Sequence, residues 1–420
     1  MKEKSKQLLQ AIADADGQAI QQFIDPLSDD QARATFDYLA SLNYFSRDMP
    51  TTNNKELKAR EDYDKLVDDY GAMAMMACVR NKTDFDHAVK TCEFAIGRAL
   101  SIEADRAVSF IEKYLADYFP AYLAKALKTR IVSYFSTLWE YYKRGWIAFD
   151  EETFVHNLLE IEWYVGDPNT VREADYLLQN PEAIEKVLLA LPRVETKVLD
   201  LAKFTLREGY QCTRGTAYWT DVIEILLEKG YEFPASFVDD LYGSLLSHWK
   251  KAHLEWHCRL ITLLSLTNDQ ILRNQQTLCA VLPLGVPSIC KFAIETLQTV
   301  AHDPLFDSGA FAENFALLFT AEKQAKTLLA GLKIVQSAQS TDPRPKTSNL
   351  APTLLTAEQL AVLLMQPDAK LQEEAAKLLV ERREQRGESR EELQAVIAPY
   401  EAYLKSKTKT ILDEILESKE

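Results

Sequence analysis

Apolar residues recur every three to four positions along nearly the whole chain, and that period constrains the fold more than any other feature. QLLQAIADA places Leu8 and Ile12 on one face, and DDQARATFDYLASLNYF does the same with Ala32, Phe36, Leu39 and Leu42. EADRAVSFIEKYLADYF and RIVSYFSTLWEYYKR repeat the rule. A spacing of three and four residues is the signature of an amphipathic helix, whereas a strand exposed on one side alternates every second residue. No convincing run of strict alternation is found. Gly numbers only 13 in 420 residues, too few for the tight turns of an all-β protein of this length. The reading is therefore an all-α chain on the order of twenty helices, joined by short connections.

Helix boundaries can also be read. Ser28-Asp29-Asp30 suits a helix N-terminus, where short polar side chains and carboxylates face unsatisfied N–H groups. Pro120, Pro192 and Pro234 are read as helix starts, where a missing N–H costs nothing. YYKRGWIAF, LREGYQC and LEKGYEFP each place a glycine after charged residues and an aromatic after the glycine. Gly145, Gly209 and Gly230 are thus read as left-handed closures of three helices, with Trp146, Tyr210 and Tyr231 folding back onto the last turn.

Further on, VPSICKFAIETLQTVA (286–301) and DAKLQEEAAKLLVER (368–382) share one pattern. Ile289, Ala293 and Leu297 correspond to Leu371, Ala375 and Leu379, and a turn with proline, Pro287 and Pro367, is read as preceding each helix. The central alanine lets a neighbouring helix approach closely. The two segments are 82 residues apart, close to twice the period of about 40 to 47 residues of HEAT and armadillo repeats, whose second helix they resemble. The expected fold class is a right-handed α-solenoid of stacked antiparallel helix pairs, HEAT/armadillo-like, with no β-sheet. The expected divisions are an irregular helical region at 1–190, HEAT-like repeats at 191–336, a polar proline-containing loop at 337–353, and helical repeats with a charged cap at 354–420.

The order of elements resembles a bacterial family of uncharacterised proteins with degenerate HEAT-like repeats. The resemblance lies in the opening LLQAIADADGQAIQQFIDPLSDDQARATFDYL, the WEYYKRGWIAF phrase, and the stretch from GYQCTRGTAYWTDVIEILLEKGYEF to EWHCRLITLLSL. It implies a fold and no activity, so no functional residue is carried over.

Charge and cysteine usage bound the function. The net charge of −15 repels phosphate backbones, which argues against general nucleic-acid binding and favours a partner with a basic segment. The six cysteines form no C-x-x-C pair and read as reduced core residues. The opening MKEKSKQLLQAIADADG lacks the features of a signal peptide, and the longest apolar run near it, MAMMACV, is too short to span a bilayer. A cytoplasmic location without membrane contact is expected.

Two stretches hold candidate chemistry. SHWKKAHLEWHC carries His248, His253 and His257, with the last two at helical spacing. A metalloprotease helix needs Glu directly after its first histidine, but Leu254 stands there and the acid is Glu255. Cys258 projects about 100° from His257 round the helix. The three histidines are weak metal candidates, and the expectation is two half-buried histidines at a helix edge with no metal and no cofactor. In YFSTLWEYYKRGW, Tyr134, Trp139, Tyr142, Lys143, Arg144 and Trp146 could stack on a partner, since Trp, Tyr and Arg dominate interfaces. The competing reading makes Phe135, Leu138, Trp139 and Tyr142 a core stripe. Arg172 and Glu173 are read as a plain exposed face. The carboxylate pairs Asp29-Asp30, Asp68-Asp69, Glu151-Glu152 and Asp239-Asp240 are read as solvated. No phosphate-binding glycine loop and no nucleophile elbow is found.

These readings converge on a non-enzymatic scaffold that binds a protein on an extended surface. The alternatives are a HEAT-like nucleic-acid-binding protein or DNA base glycosylase, and a metal-binding protein using the histidines.

Overall fold

The computed structural model describes the chain except residues 1, 43–48, 61, 93–95, 129–131, 133, 160–163, 166–171, 196–202, 206–210, 214–215, 342–353, 387 and 417–420. It is helical in almost every described segment and divides into two compact units, Met1–Lys229 and Gly230–Glu420.

In the first unit the helix Tyr63–Ala77 is central. From Leu66 to Ala77 its side chains are almost all buried, and the helices Lys2–Ala13, Gly17–Ile24, Asp29–Ala40 and Ala104–Tyr114 pack around it. Its wholly apolar end MAMMA explains this, because a helix apolar on all sides must be enclosed. The acidic start at Ser28 is a capping box, in which Ser28 and Gln31 satisfy each other's backbone N–H groups. Asp69 departs from the solvated reading of its pair. It is fully buried between Arg98 (2.7 Å) and Arg106 (3.3 Å), because it points inward from a helix that is packed all round. Burial lifts its carboxyl above the ordinary value, against the pull of both guanidiniums.

The expectation of no β-sheet holds over all described residues but one patch. Tyr164–Val165, Lys203–Thr205 and Gln211–Thr213 pair antiparallel, with the last strand central and Thr205 opposite Gln211. Of the LREGYQC phrase, Gln211 and Cys212 belong to the central strand, while residues 206–210, Gly209 among them, lie outside the described residues. The other two glycines match the expectation: Gly145 and Gly230 hold φ of 69° and 83° after their helices. Pro192 starts no helix, since it lies inside the 3-10 segment Leu188–Arg193, whose looser ladder tolerates the missing donor.

The second unit is built of five helix pairs. The first helices are Ala235–Ser244, then Asn268–Arg273 continued by Gln275–Ala280 and Leu282–Leu284, then Ser308–Ala316, Ala357–Val362 continued by Leu363–Met365, and Arg390–Ile397 continued by Ala398–Tyr403. The second helices are Lys251–Leu263, Pro287–Val300, Ala325–Thr341, Ala369–Arg386 and Ser406–Leu416. Each second helix packs against the second helix of the next pair. The small residues expected at these seams are there. Ala293 and Ala375 are fully buried with their flanking Ile289, Leu297, Leu371 and Leu379. Gly331 lies so close to Phe315 that a Cβ would sit 2.3 Å from the ring. The polar stretch expected as a loop from 337 remains helical to Thr341, and residues 342–353 lie outside the described set.

Buried glutamines tie the turns inside successive pairs to one another. Gln324, in the third turn, donates to the carbonyl of Gly285 in the second at 3.2 Å. Gln366, in the fourth, donates to the carbonyl of Phe319 in the third at 2.5 Å. Gln372 donates to the carbonyls of Leu364, Gln366 and Tyr403 and accepts from the Lys405 N–H, joining the fourth turn to the fifth. The second to fifth turns within pairs thus lie side by side.

Candidate functional site

The histidine pair is built by the first helix pair of the second unit. His253 and His257 share one face of Lys251–Leu263 and are both fully buried, not half-buried as expected. Their Nε2 atoms are 3.1 Å apart. Ser244, at the end of the partner helix, lies 2.5 Å from His257 Nδ1 and 2.7 Å from the carbonyl of Leu241. The tautomers follow from this geometry. A carbonyl only accepts, so the Ser244 hydroxyl donates to Leu241 and accepts from His257 Nδ1–H. His257 then offers a lone pair on Nε2 to the Nε2–H of His253. Burial, and secondarily the His253 charge, hold His257 well below the ordinary imidazole range, so it is neutral at pH 7. Trp249 and Trp256 wall the pair, with ring centroids 4.8 Å and 5.9 Å from His253.

His248 is exposed in the turn before the helix. Among the described residues no three His, Cys, Asp or Glu side chains group to hold a metal, and two imidazoles fall short of the three or four ligands a zinc centre takes. Cys258 is no nucleophile here: burial pushes its thiol up to about 12. The arrangement fastens two helices together.

The aromatic stretch divides between core and surface. Trp139 is buried, stacked on Phe135 and 4.9 Å from Tyr142, so its indole faces no partner. Tyr141, and not Tyr142, completes the buried stripe, with its hydroxyl donating to the Ala99 carbonyl at 2.7 Å. Tyr142 is half-buried and its hydroxyl meets Lys186 Nζ at 2.6 Å. Trp146 packs half-buried against Phe119 and Tyr141. Tyr134 precedes the helix and bonds Lys65. Lys143 pairs with Glu140, and Arg144 with Glu112 at 2.7 Å and with Glu140. The exposed face of this helix is thus largely internally paired. Arg172 begins the helix Arg172–Gln179.

A different feature has no signal in the sequence. Eight large apolar side chains are exposed among the described residues, and five of them close the first helices of the five pairs: Leu246, Leu284, Leu317, Met365 and Tyr403. Leu317 is 66% exposed and Tyr403 57%, so these are not edges of the core. Each is a single ordinary residue in sequence. Only the pairing of helices collects them at equivalent positions.

The described residues define a predominantly helical protein with one small antiparallel patch, and among them no three His, Cys, Asp or Glu side chains group to hold a metal. Residues 2–325 match the family described as Domain of unknown function (DUF6493), and the chain belongs to that family. No curated protein and no solved structure matches it. Among the described residues no helix is long and apolar enough to cross a membrane.

Proposed function

We propose that this chain is a non-enzymatic helical-repeat scaffold that binds a protein partner on an extended surface. In this reading the five helix pairs of the second unit are consecutive turns of a HEAT/armadillo-like α-solenoid. Their second helices pack in sequence order, as stacked repeats do. The observation that carries the reading is the set of exposed apolar side chains at the same place in all five pairs. Scattered exposed leucines need no explanation, but a set at equivalent positions is what an interaction surface requires.

The test is capture of partners from the native lysate, with nuclease present, on the tagged full chain and on a variant with Leu246, Leu284, Leu317, Met365 and Tyr403 all changed to Ser. A stoichiometric protein held by the parent and lost by the folded variant is expected. A partner retained by the variant, or capture that vanishes with nuclease, overturns the reading.

A further inference from the structure

The edge that carries the five exposed apolar residues has a charge opposite to that of the whole chain. The turns within pairs, with the first residues of the second helices, hold Lys250, Lys251, Lys323, Lys326, Lys370, Lys405, Lys407 and Lys409, all exposed. Counting the first four residues of each second helix, only Glu322 and Asp368 oppose them in these segments, with Glu255, Glu373 and Glu374 next along the helices. Three of the four junctions between pairs are the reverse, and the one at 342–356 holds Asp342 against Arg344 and Lys346. Residues 264–270, 301–308 and 387–392 hold Asp269, Asp303, Asp307, Glu388, Glu391 and Glu392 against Arg390 alone.

Helix stability does not account for the lysines. None of the five second helices has a carboxylate in its first turn. Lysine there works against the helix dipole, which favours negative charge at that end. Six of the lysines also have no carboxylate partner among the described residues. Lys251 reaches Glu255 at 3.4 Å, but Lys323, Lys326, Lys370, Lys405, Lys407 and Lys409 form no ion pair among the described residues. The glutamine bonds that join the second to fifth turns make this a continuous border.

We propose that this border of the Gly230–Glu420 unit is a docking surface for an acidic segment of a partner protein that carries large apolar side chains. The proposal rests on the scaffold reading above and adds the face used and the partner's chemistry. Charge complementarity selects the acidic segment, and Leu246, Leu284, Leu317, Met365 and Tyr403 take its apolar residues. A nucleic acid fits less well. It would offer the apolar residues no counterpart, and an extended polyanion would meet the field of a chain with net charge −15.

The experiment is a random-peptide display selection on the immobilised full chain. Enriched peptides are synthesised and measured by fluorescence anisotropy against three proteins. These are the parent, a Lys405→Glu/Lys407→Glu/Lys409→Glu variant, and a Leu317→Ser/Tyr403→Ser variant, each checked for unchanged circular dichroism. Enriched peptides that combine Asp or Glu with Leu, Phe or Trp, and that bind each variant at least about tenfold more weakly, are expected. Basic enriched peptides, or acidic ones indifferent to the lysine reversal, overturn the proposal while leaving the scaffold reading to its own lysate test. No enrichment, or salt-dependent binding of a duplex oligonucleotide abolished by the lysine reversal, overturns it too.

Discussion

Replacing His257 with glutamine should change how the protein's stability depends on pH. His257 is fully buried, and its folded-state pKa lies well below the ordinary 6.5. The unfolded chain therefore binds a proton near pH 6.5 that the folded chain refuses, and stability present above that pH is lost as pH falls. The geometry supplies the reason. A proton on His257 Nε2 would set two N–H groups against each other across 3.1 Å, in place of a donor and a lone pair. Between pH 7.5 and 5.5 one such group costs about 1.4 kcal/mol, if it stays neutral when folded. Glutamine keeps a donor for Ser244 but does not titrate. At pH 7.5 the variant should be less stable by about 1 to 2 kcal/mol, from a lost or bent hydrogen bond. At pH 5.5 that gap should shrink by about 1.4 kcal/mol, because only the parent carries the penalty. Urea unfolding of the full-length proteins at both pH values measures the gap, and the titrating carboxylates cancel between them. Equal gaps at the two pH values would refute the neutral buried imidazole. A gap that widens in acid would mean that the folded state prefers the imidazolium.

Other substitutions test the packing. Gly331→Ala should lower stability by about 1 to 2 kcal/mol, because the overlap with Phe315 outweighs the gain of about 1 kcal/mol in helix propensity. Thermal melting checks this, and Phe315→Leu in the same chain should recover part of the loss. Gln372→Ala strands three carbonyls and the Lys405 N–H in a place that is 1% exposed, and should cost about 3 kcal/mol in urea unfolding. Cys78, Cys258 and Cys279 have thiols pushed up to about 12 by burial, so at pH 8 a chromogenic thiol reagent should modify them only after unfolding, with half-exposed Cys92 reacting first.

The helical class was legible because it rests on a period repeated along hundreds of residues, and the caps at Ser28, Gly145 and Gly230 because each has a local chemical cause. What failed depends on neighbours. The residues Lys203–Thr205 become strand by pairing with Gln211–Thr213, and Asp69 is buried because four helices surround its own. The aromatic helix shows the same limit at finer scale. Tyr141 and Tyr142 are chemically alike, and a rotation of one residue decides which is core. The histidines were legible as a pair on one face, but their full burial required Ser244 and two tryptophans to close round them.

The proposed sign of the partner is a case in which a whole-chain property and a local surface point in opposite directions. A net charge of −15 suggests a basic partner, and that inference holds for distant encounter. At contact the proposed border calls for the opposite sign. At physiological ionic strength charges are screened beyond about 8 Å, so a docked segment responds to the side chains within that distance. The turns within pairs and the first four residues of the second helices carry eight lysines and two carboxylates, with Glu255 and Glu401 just beyond these segments. The acidic excess is carried elsewhere, in part at the junctions between pairs. A segment bound on the proposed border would be attracted locally and repelled if it slid toward the junctions. The same charge that fails to name the partner would then fix its position.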